Sequence, residues 1–149
     1  MAAEDAKRIV SQFWREVYNR GDFELLEAIV APGHKLHDPV NDADVYGSDG
    51  LKDLLQEIRD FAPEARVNIE DQMDAEGERV ITRFTVLVPR HGALATESGV
   101  AEEPLELSGI SISRVSSGMI EESWVNWDDH SLWEALNPPV EDWRWPPWR

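Results

Sequence analysis

The sequence predicts an α+β domain in which helices precede an antiparallel sheet. Apolar residues recur at helical spacing before Pro63, and they alternate with polar residues after it. Helices followed by a run of strands are typical of the α+β class. A length of 149 residues fits one domain, and a hydrophobic fraction of 42% indicates a folded core. A curved sheet with helices on one face leaves a concave pocket, where we expect the functional site.

Three helices are predicted in the first half of the chain. The first covers residues 3–20, where apolar side chains form one stripe, and Gly21 is suited to end it. A short second helix is predicted at 23–30. The third covers 47–61, with Asp49 as its expected N-terminal cap.

Extended segments follow and form the sheet, because β-branched and aromatic residues alternate there with polar ones. They are predicted at 34–38, 65–73, 79–88, 105–115 and 119–128. A closing helix is predicted at 129–136. The domain therefore spans 1–137, and residues 138–149 form a tail rich in Trp and Pro. We expect the tryptophans of the tail to pack onto the body of the protein.

Charge and composition exclude several classes of function. The formal net charge is −16, which disfavours binding to nucleic acid or to an anionic membrane surface. The chain has no Cys, which excludes disulfides, thiolate metal sites and cysteine nucleophiles. It begins with charged residues where a signal peptide needs an apolar run, and no stretch is apolar enough for a transmembrane helix. We therefore expect a soluble cytoplasmic protein.

The sequence contains no motif for binding a nucleotide, a phosphate or a metal ion. His34 and His37 are three residues apart in the first extended segment. On a strand this spacing places the two side chains on opposite faces, so they cannot readily share an ion. We predict no metal site.

The last strand carries the most informative residues. One of its faces carries Glu122, Trp124, Asn126 and Asp128, and the other carries Glu121, Ser123, Val125 and Trp127. Each face holds a Trp, so both are expected to be partly covered, the Val125 face by a second subunit. If Asp128 lies on the concave face beside Trp124, desolvation raises the carboxyl pKa towards the range of a general base. An Asp between a strand and a helix is also a common helix cap, and both interpretations stay open.

Two other places are weaker candidates. His37 and Asp38 end the first extended segment, from which they could face the pocket, although Asp before Pro is also common in turns. Arg83 lies inside a strand, where a charged side chain needs a partner. Pairing of Arg83 with an acidic side chain across the sheet is the simpler interpretation.

Several motifs spread along the chain are similar to those of a known family. Asn19-Arg20-Gly21-Asp22 follows the first helix, and His37-Asp38-Pro39-Val40 ends the first extended segment. The last hairpin contains an Arg, a Gly turn and a Glu-x-Trp-x-x-x-Asp pattern, at Arg114, Gly118, Glu122, Trp124 and Asp128. Up to about residue 137 the chain resembles the SnoaL-like polyketide cyclases. The resemblance implies a nuclear-transport-factor-2-like fold, which is a cone of curved antiparallel sheet with three helices over one face and a deep apolar pocket.

The resemblance also implies a reaction, an assembly and a set of site residues. Members of the family close a ring by an aldol step without a metal or cofactor, and they are often homodimers or higher oligomers. By position Asp128 would be the base, His37 a pocket histidine and Trp14 a residue at the entrance. His91 lies about one residue from the place of the family's second histidine. The remaining substrate-binding candidates are Asp38, Arg83, Trp124 and Asn126.

The expected function is therefore a cofactor-independent cyclase or isomerase that acts on a small apolar carbonyl compound. Ketosteroid isomerases, which share the fold, have an Asp-Pro-Val similar to Asp38-Pro39-Val40, with the Asp as base. An epoxide-opening enzyme of the same fold is a second alternative, although Thr85 stands where that group needs an Asp. A non-catalytic binding or assembly module is the third, because a fold does not determine a function.

Overall fold

The computed structural model describes residues 3–40, 43–91, 94–95 and 103–136. The helices are α1 (Ala3–Gln12), α2 (Phe23–Ile29), α3 (Gly47–Phe61) and α4 (Asp129–Ala135), and a π-helical segment, Phe13–Tyr18, continues α1. The strands are β1 (Val30–His37), β2 (Val45–Tyr46), β3 (Arg66–Ala75), β4 (Arg79–Val88), β5 (Leu105–Ser116) and β6 (Met119–Trp127). The predicted tail, residues 138–149, lies outside the described residues.

The strands form one curved, open sheet of six strands in the order β2-β1-β6-β5-β4-β3. The α+β class predicted from the sequence is confirmed. Two details differ from the prediction. The described residues form four helices, whereas the family resemblance implies three over one face, and the fourth is the closing helix that the sequence predicts at 129–136. The sheet is not wholly antiparallel, because β1 pairs in parallel with β6, a strand far from it in the chain.

Local sequence explains most of the helix boundaries. Gly21 ends the first helical region with a φ of +70°, a left-handed conformation that suits glycine, as predicted. Asp22 caps α2, since its carboxylate accepts a hydrogen bond of 3.1 Å from the backbone N–H of Leu25. The prediction that Asp49 caps α3 is wrong. The helix begins at Gly47, so Asp49 lies inside the first turn, where a negative charge favours the helix dipole.

The hydrophobic core lies between the concave face of the sheet and the helices. Val10, Val17 and Leu26 from the helical layer are fully buried against strand residues such as Val80. The α3 helix adds an apolar stripe, in which Leu51 and Leu55 are buried. Among the residues that the structure describes, no helix is long and apolar enough to span a bilayer.

Candidate functional site

A cavity of about 150 Å³ lies between the concave face of the sheet and the helices. Its apolar walls come from the π-helical segment, from α3 and from the strands. The main apolar lining residues are Phe13, Trp14, Leu36, Leu51, Leu54, Leu55, Ile58, Phe84, Val86, Leu107, Val125, Trp127 and Leu132. A cavity of this volume accommodates a molecule about the size of a substituted benzene ring.

Two residues of the β1 segment bring ionisable groups into the cavity. Because side chains on a strand alternate between its faces, His34, Leu36 and Asp38 line the cavity, whereas Lys35 and His37 lie on the other face. The sequence prediction that His34 and His37 occupy opposite faces is therefore confirmed. Within the described residues, no group of three or more His, Asp or Glu side chains is arranged to hold a metal ion.

Asp38 is a buried carboxylate at the cavity wall, with 9% of its surface exposed. Its Oδ2 accepts a hydrogen bond of 3.1 Å from the indole N–H of Trp127, and its Oδ1 accepts one of 3.2 Å from the backbone N–H of Val40. Burial raises the pKa of Asp38 above its usual value, although both hydrogen bonds oppose the rise, and the nearby charge of Asp129 adds to it. A carboxylate with a raised pKa in an apolar cavity is suited to accept a proton.

His34 is the second ionisable group and is almost completely buried, with 1% of its surface exposed. Its Nε2 lies 3.0 Å from the hydroxyl of Ser123, which lies 3.4 Å from the hydroxyl of Ser113. Burial lowers the pKa of His34 to about 4, with a smaller opposing effect of Glu122. The imidazole is therefore uncharged at neutral pH.

Asp128 does not line the cavity, so the predicted placement of this residue is wrong. It caps α4: its Oδ1 accepts a hydrogen bond of 3.1 Å from the backbone N–H of Ser131, and its Oδ2 accepts one of 2.6 Å from the Ser131 hydroxyl. The cause is a β-bulge in β6. Arg114 pairs with Glu122 and Val115 with Ile120, so Glu121 is an extra residue.

The bulge reverses the predicted faces of β6. Ile120 is buried and lines the cavity, and unbroken alternation from it would place Trp124, Asn126 and Asp128 on the same face. After the extra residue, Ser123, Val125 and Trp127 line the cavity instead. Trp124 and Asn126 therefore do not line the cavity. Val125 and Trp127 line the cavity of their own chain, so they do not need a second subunit to cover them, and assembly as a homodimer stays a prediction.

His37 lies on the outer face of the sheet and not in the pocket, contrary to the prediction. Its Nε2 is 2.7 Å from Oε2 of Glu122, its Nδ1 is 3.1 Å from Oδ1 of Asp44, and its ring stacks on Trp124 with centroids 5.3 Å apart. The hydrogen bond with Glu122 is the main reason that the pKa of His37 is raised. Glu122 also receives a 3.4 Å contact from Arg114.

Two further substrate-binding candidates also lie outside the cavity. Arg83 is exposed, because its neighbours Thr82 and Phe84 occupy the buried positions of β4. His91 is exposed as well and lies 3.2 Å from Glu64. Neither contributes to the cavity lining.

Trp14 is the predicted site residue that, together with Asp38, does line the cavity. Its ring contacts that of Phe84, with the centroids 4.8 Å apart. The Phe84 ring in turn lies over Gly109, where an added Cβ would be only 2.4 Å from Cζ of Phe84. The absence of a side chain at Gly109 therefore gives this aromatic wall its position.

Sequence reasoning missed His34, Trp127 and the serines of the cavity floor. The alternation His34, Leu36, Asp38 was a usable signal, since a strand that directs Asp38 inwards also directs His34 inwards. The position of Trp127 could not be predicted from the alternation of side chains that starts at Ile120, because the bulge at Glu121 interrupts this alternation. Ser111 and Ser113 occupy alternate positions of β5 that elsewhere hold apolar residues. Nothing in the local sequence distinguishes these two buried serines from an exposed serine of the same strand.

Comparison with known proteins identifies similar sequences and folds. Residues 8–136 match the family described as SnoaL-like polyketide cyclase. No curated protein matches the sequence. IdmH from Streptomyces antibioticus, described as a "putative polyketide cyclase", is 23% identical, with 85% of this chain and 94% of IdmH covered at a TM-score of 0.71.

Two other solved structures have the same fold. A "putative SnoaL-like polyketide cyclase" from Jannaschia sp. CCS1 is 16% identical, with 92% of this chain and 94% of that chain covered and a TM-score of 0.76. AclR from Streptomyces galilaeus, described as a "putative hydroxylase", is 18% identical, with 93% of this chain and all of that chain (100%) covered and a TM-score of 0.72. At these identities the structural likeness shows the fold alone.

Proposed function

Because this chain belongs to the SnoaL-like polyketide cyclase family, we propose that it is a cofactor-independent cyclase or isomerase that acts on a small, mainly apolar carbonyl compound. The observation that carries the proposal is Asp38, a buried carboxylate in the wall of an apolar cavity. Asp38 takes the role of base that the sequence first suggested for Asp128. The cap on α4 occupies both carboxylate oxygens of Asp128.

In the proposed reaction, the Asp38 carboxylate removes a proton from a carbon next to a substrate carbonyl. The electron pair of the broken C–H bond forms an enolate. In ring closure, the enolate carbon attacks a second carbonyl of the same molecule, a C–C bond forms, and the new alkoxide takes the proton from Asp38. In isomerisation, the proton returns to a different carbon. Both routes conserve the proton, so neither requires an oxidant or a second substrate.

The surroundings of Asp38 support this role in two ways. The Trp127 indole N–H and the Val40 N–H hold the two oxygens in fixed positions, so the base is oriented before a substrate enters. Trp14, which lines the cavity, also has a buried indole N–H with no hydrogen-bond partner among the described residues. Such a group can donate to an oxygen on which negative charge develops.

The experiment compares the variants Asp38→Asn and Asp128→Asn. The probe is 2,6-heptanedione, whose internal aldol reaction gives 3-hydroxy-3-methylcyclohexanone, which NMR detects, and whose protons next to the carbonyls exchange in D₂O. Removal of a positioned base lowers such rates by about 100-fold or more. We expect that loss for Asp38→Asn in both exchange and ring closure.

Asp128→Asn is the matched control, since Asn caps a helix about as well as Asp. Exchange catalysed by this variant should stay within about 2-fold of the unaltered protein if Asp128 is only a cap. Unchanged exchange with Asp38→Asn, or a larger loss with Asp128→Asn, contradicts the assignment. Binding of the probe without exchange in the unaltered protein would favour the non-catalytic binding module.

A further inference from the structure

A second polar region lines the same cavity and has no part in the proton transfer assigned to Asp38. We call it the histidine–serine cluster, and it consists of His34, Ser111, Ser113 and Ser123. Ser113 and Ser123 are directly paired neighbours on β5 and β6, and His34 reaches Ser123 from β1. His34 and Asp38 are four residues apart on one strand face, which corresponds to about 13 Å along the backbone.

The cluster contains hydrogen-bonding capacity that the described part of the protein does not use. Nδ1 of His34 and the hydroxyl of Ser111 are buried and have no hydrogen-bond partner among the described residues. The two residues are 1% and 3% exposed. An unsatisfied buried polar group costs about 1–3 kcal/mol. Both residues line the same cavity, where a ligand can supply the missing partners.

The charge of the cavity restricts what that ligand can be. Among the residues that the structure describes, no Lys or Arg lines the cavity, and His34 is uncharged at neutral pH. A carboxylate or phosphate in this cavity would have no opposite charge beside it, and Asp38 would repel it. Neutral imidazole and hydroxyl groups each donate and accept hydrogen bonds, so they match an uncharged oxygen.

We propose that the histidine–serine cluster is a second binding subsite, which takes an uncharged oxygen substituent of the substrate at some distance from the carbon that Asp38 deprotonates. The oxygen belongs to a ketone, an ester, an amide or a hydroxyl group. This inference rests on the proposed function and extends it. The substrate carries at least two oxygen substituents on an apolar frame, and none of them is ionised.

The test measures binding of three probes that share one ring and differ at a single substituent. They are 1,4-diacetylbenzene, 4-ethylacetophenone, which lacks the second oxygen, and 4-acetylbenzoate, which is ionised. Dissociation constants are measured by calorimetry or ligand-observed NMR. A good hydrogen bond to a buried uncharged group corresponds to about a tenfold change in affinity. We therefore expect 1,4-diacetylbenzene to bind about 10-fold more tightly than either other probe.

The variants Ser111→Ala, which removes the unpartnered hydroxyl, and Ser123→Ala, which removes the partner of His34, should reduce the preference for 1,4-diacetylbenzene over 4-ethylacetophenone to about 2-fold or less. Thr82→Val is the matched control, because Thr82 is also a buried hydroxyl of the sheet but lies outside the cavity lining and bonds to Gln72. This control should keep the full preference. Since the ratio is taken within each variant, a general loss of stability does not alter it.

A second measurement is independent of these variants. With ¹⁵N-labelled histidine, the imidazole resonances of His34 should shift when 1,4-diacetylbenzene binds and not when 4-ethylacetophenone binds. Equal affinities for the three probes overturn the proposal, and so does failure of 1,4-diacetylbenzene to bind up to its solubility limit. The proposal is also wrong if both serine variants keep the full preference for 1,4-diacetylbenzene over 4-ethylacetophenone. Asp38→Asn should keep the preference while it loses exchange activity, so failure of the subsite and failure of the proposed base are distinguishable.

Discussion

The buried His34 makes stability dependent on pH in a direction that can be stated in advance. Its pKa is about 4 in the folded protein and about 6.5 when exposed. On acidification the unfolded chain takes up the proton first. The contribution of His34 to the free energy of unfolding is therefore fully present above pH 6.5, and it is lost as the pH falls from 6.5 to 4. At 1.36 kcal/mol per pKa unit, the complete loss is about 3 kcal/mol.

The perturbation is His34→Gln, which removes the titrating group and retains an amide that can bond to Ser123. Free energies of unfolding are measured by urea titration at several pH values between 7.5 and 4.5 for the unaltered protein and for the variant. Carboxylates titrate in both proteins and cancel in the difference. We expect the unaltered protein to lose about 2–3 kcal/mol more than the variant over this range.

The matched control is His130→Gln, since His130 is exposed and contacts Glu134 on the surface of α4. Its difference from the unaltered protein should stay well below the change expected for His34→Gln, because a surface ion pair contributes little to stability. A constant difference between His34→Gln and the unaltered protein at all pH values, within about 0.5 kcal/mol, would refute the reasoning.

Two further predictions concern packing and the outer face. In Gly109→Ala the added methyl group would be 2.4 Å from Cζ of Phe84, so urea titration should show that the free energy of unfolding falls by about 1–3 kcal/mol. Gly33→Ala is the control, because an added methyl group there would have nothing within 4 Å, and the free energy of unfolding should hardly change. Equal effects of the two changes would contradict the packing argument. The pKa of His37 is raised, so its pairing with Glu122 stabilises the folded protein fully below pH 6.5, and this stabilisation is lost as the pH rises through the pKa of His37. The pKa of Glu122 is lowered, so on the acid side the stabilisation is lost only below pH 4.5. His37→Gln should therefore lower stability by less than about 1 kcal/mol near pH 6, and a deficit of the same size at pH 9 would show that the pairing is not the cause.

The regular elements were predictable because their signals are local. The helix at 47–61 and the strand at 79–88 have the predicted boundaries, since each is a periodic run between residues that break it. The pairing of β1 with β6 was not predictable in this way. It joins segments that are far apart in the chain, and parallel strands are not connected by a tight turn whose sequence could be recognised.

The candidate site was predictable only in part, because it depends on which face of a strand is buried. Alternation correctly grouped Ser123, Val125 and Trp127, but it misplaced Glu121. Because Glu121 is an extra residue, the set that follows Ile120 into the cavity is that of Ser123 and not that of Trp124. His37 and Asp38 were considered together, although neighbours on a strand cannot both face one pocket. Asp38 lies in the cavity and His37 outside it.

The hydrogen bonds that assemble the cavity connect distant parts of the chain. His34 and Ser123 are separated by 89 positions, and so are Asp38 and Trp127. Each bond closes a long loop, and the entropy of closure grows only slowly with loop length. During synthesis, however, the early partners of both bonds leave the ribosome with nothing to bind until β6 follows them. These contacts therefore form only after β6 has been synthesised, and a chain that stops before β6 contains His34 and Asp38 without Ser123 and Trp127.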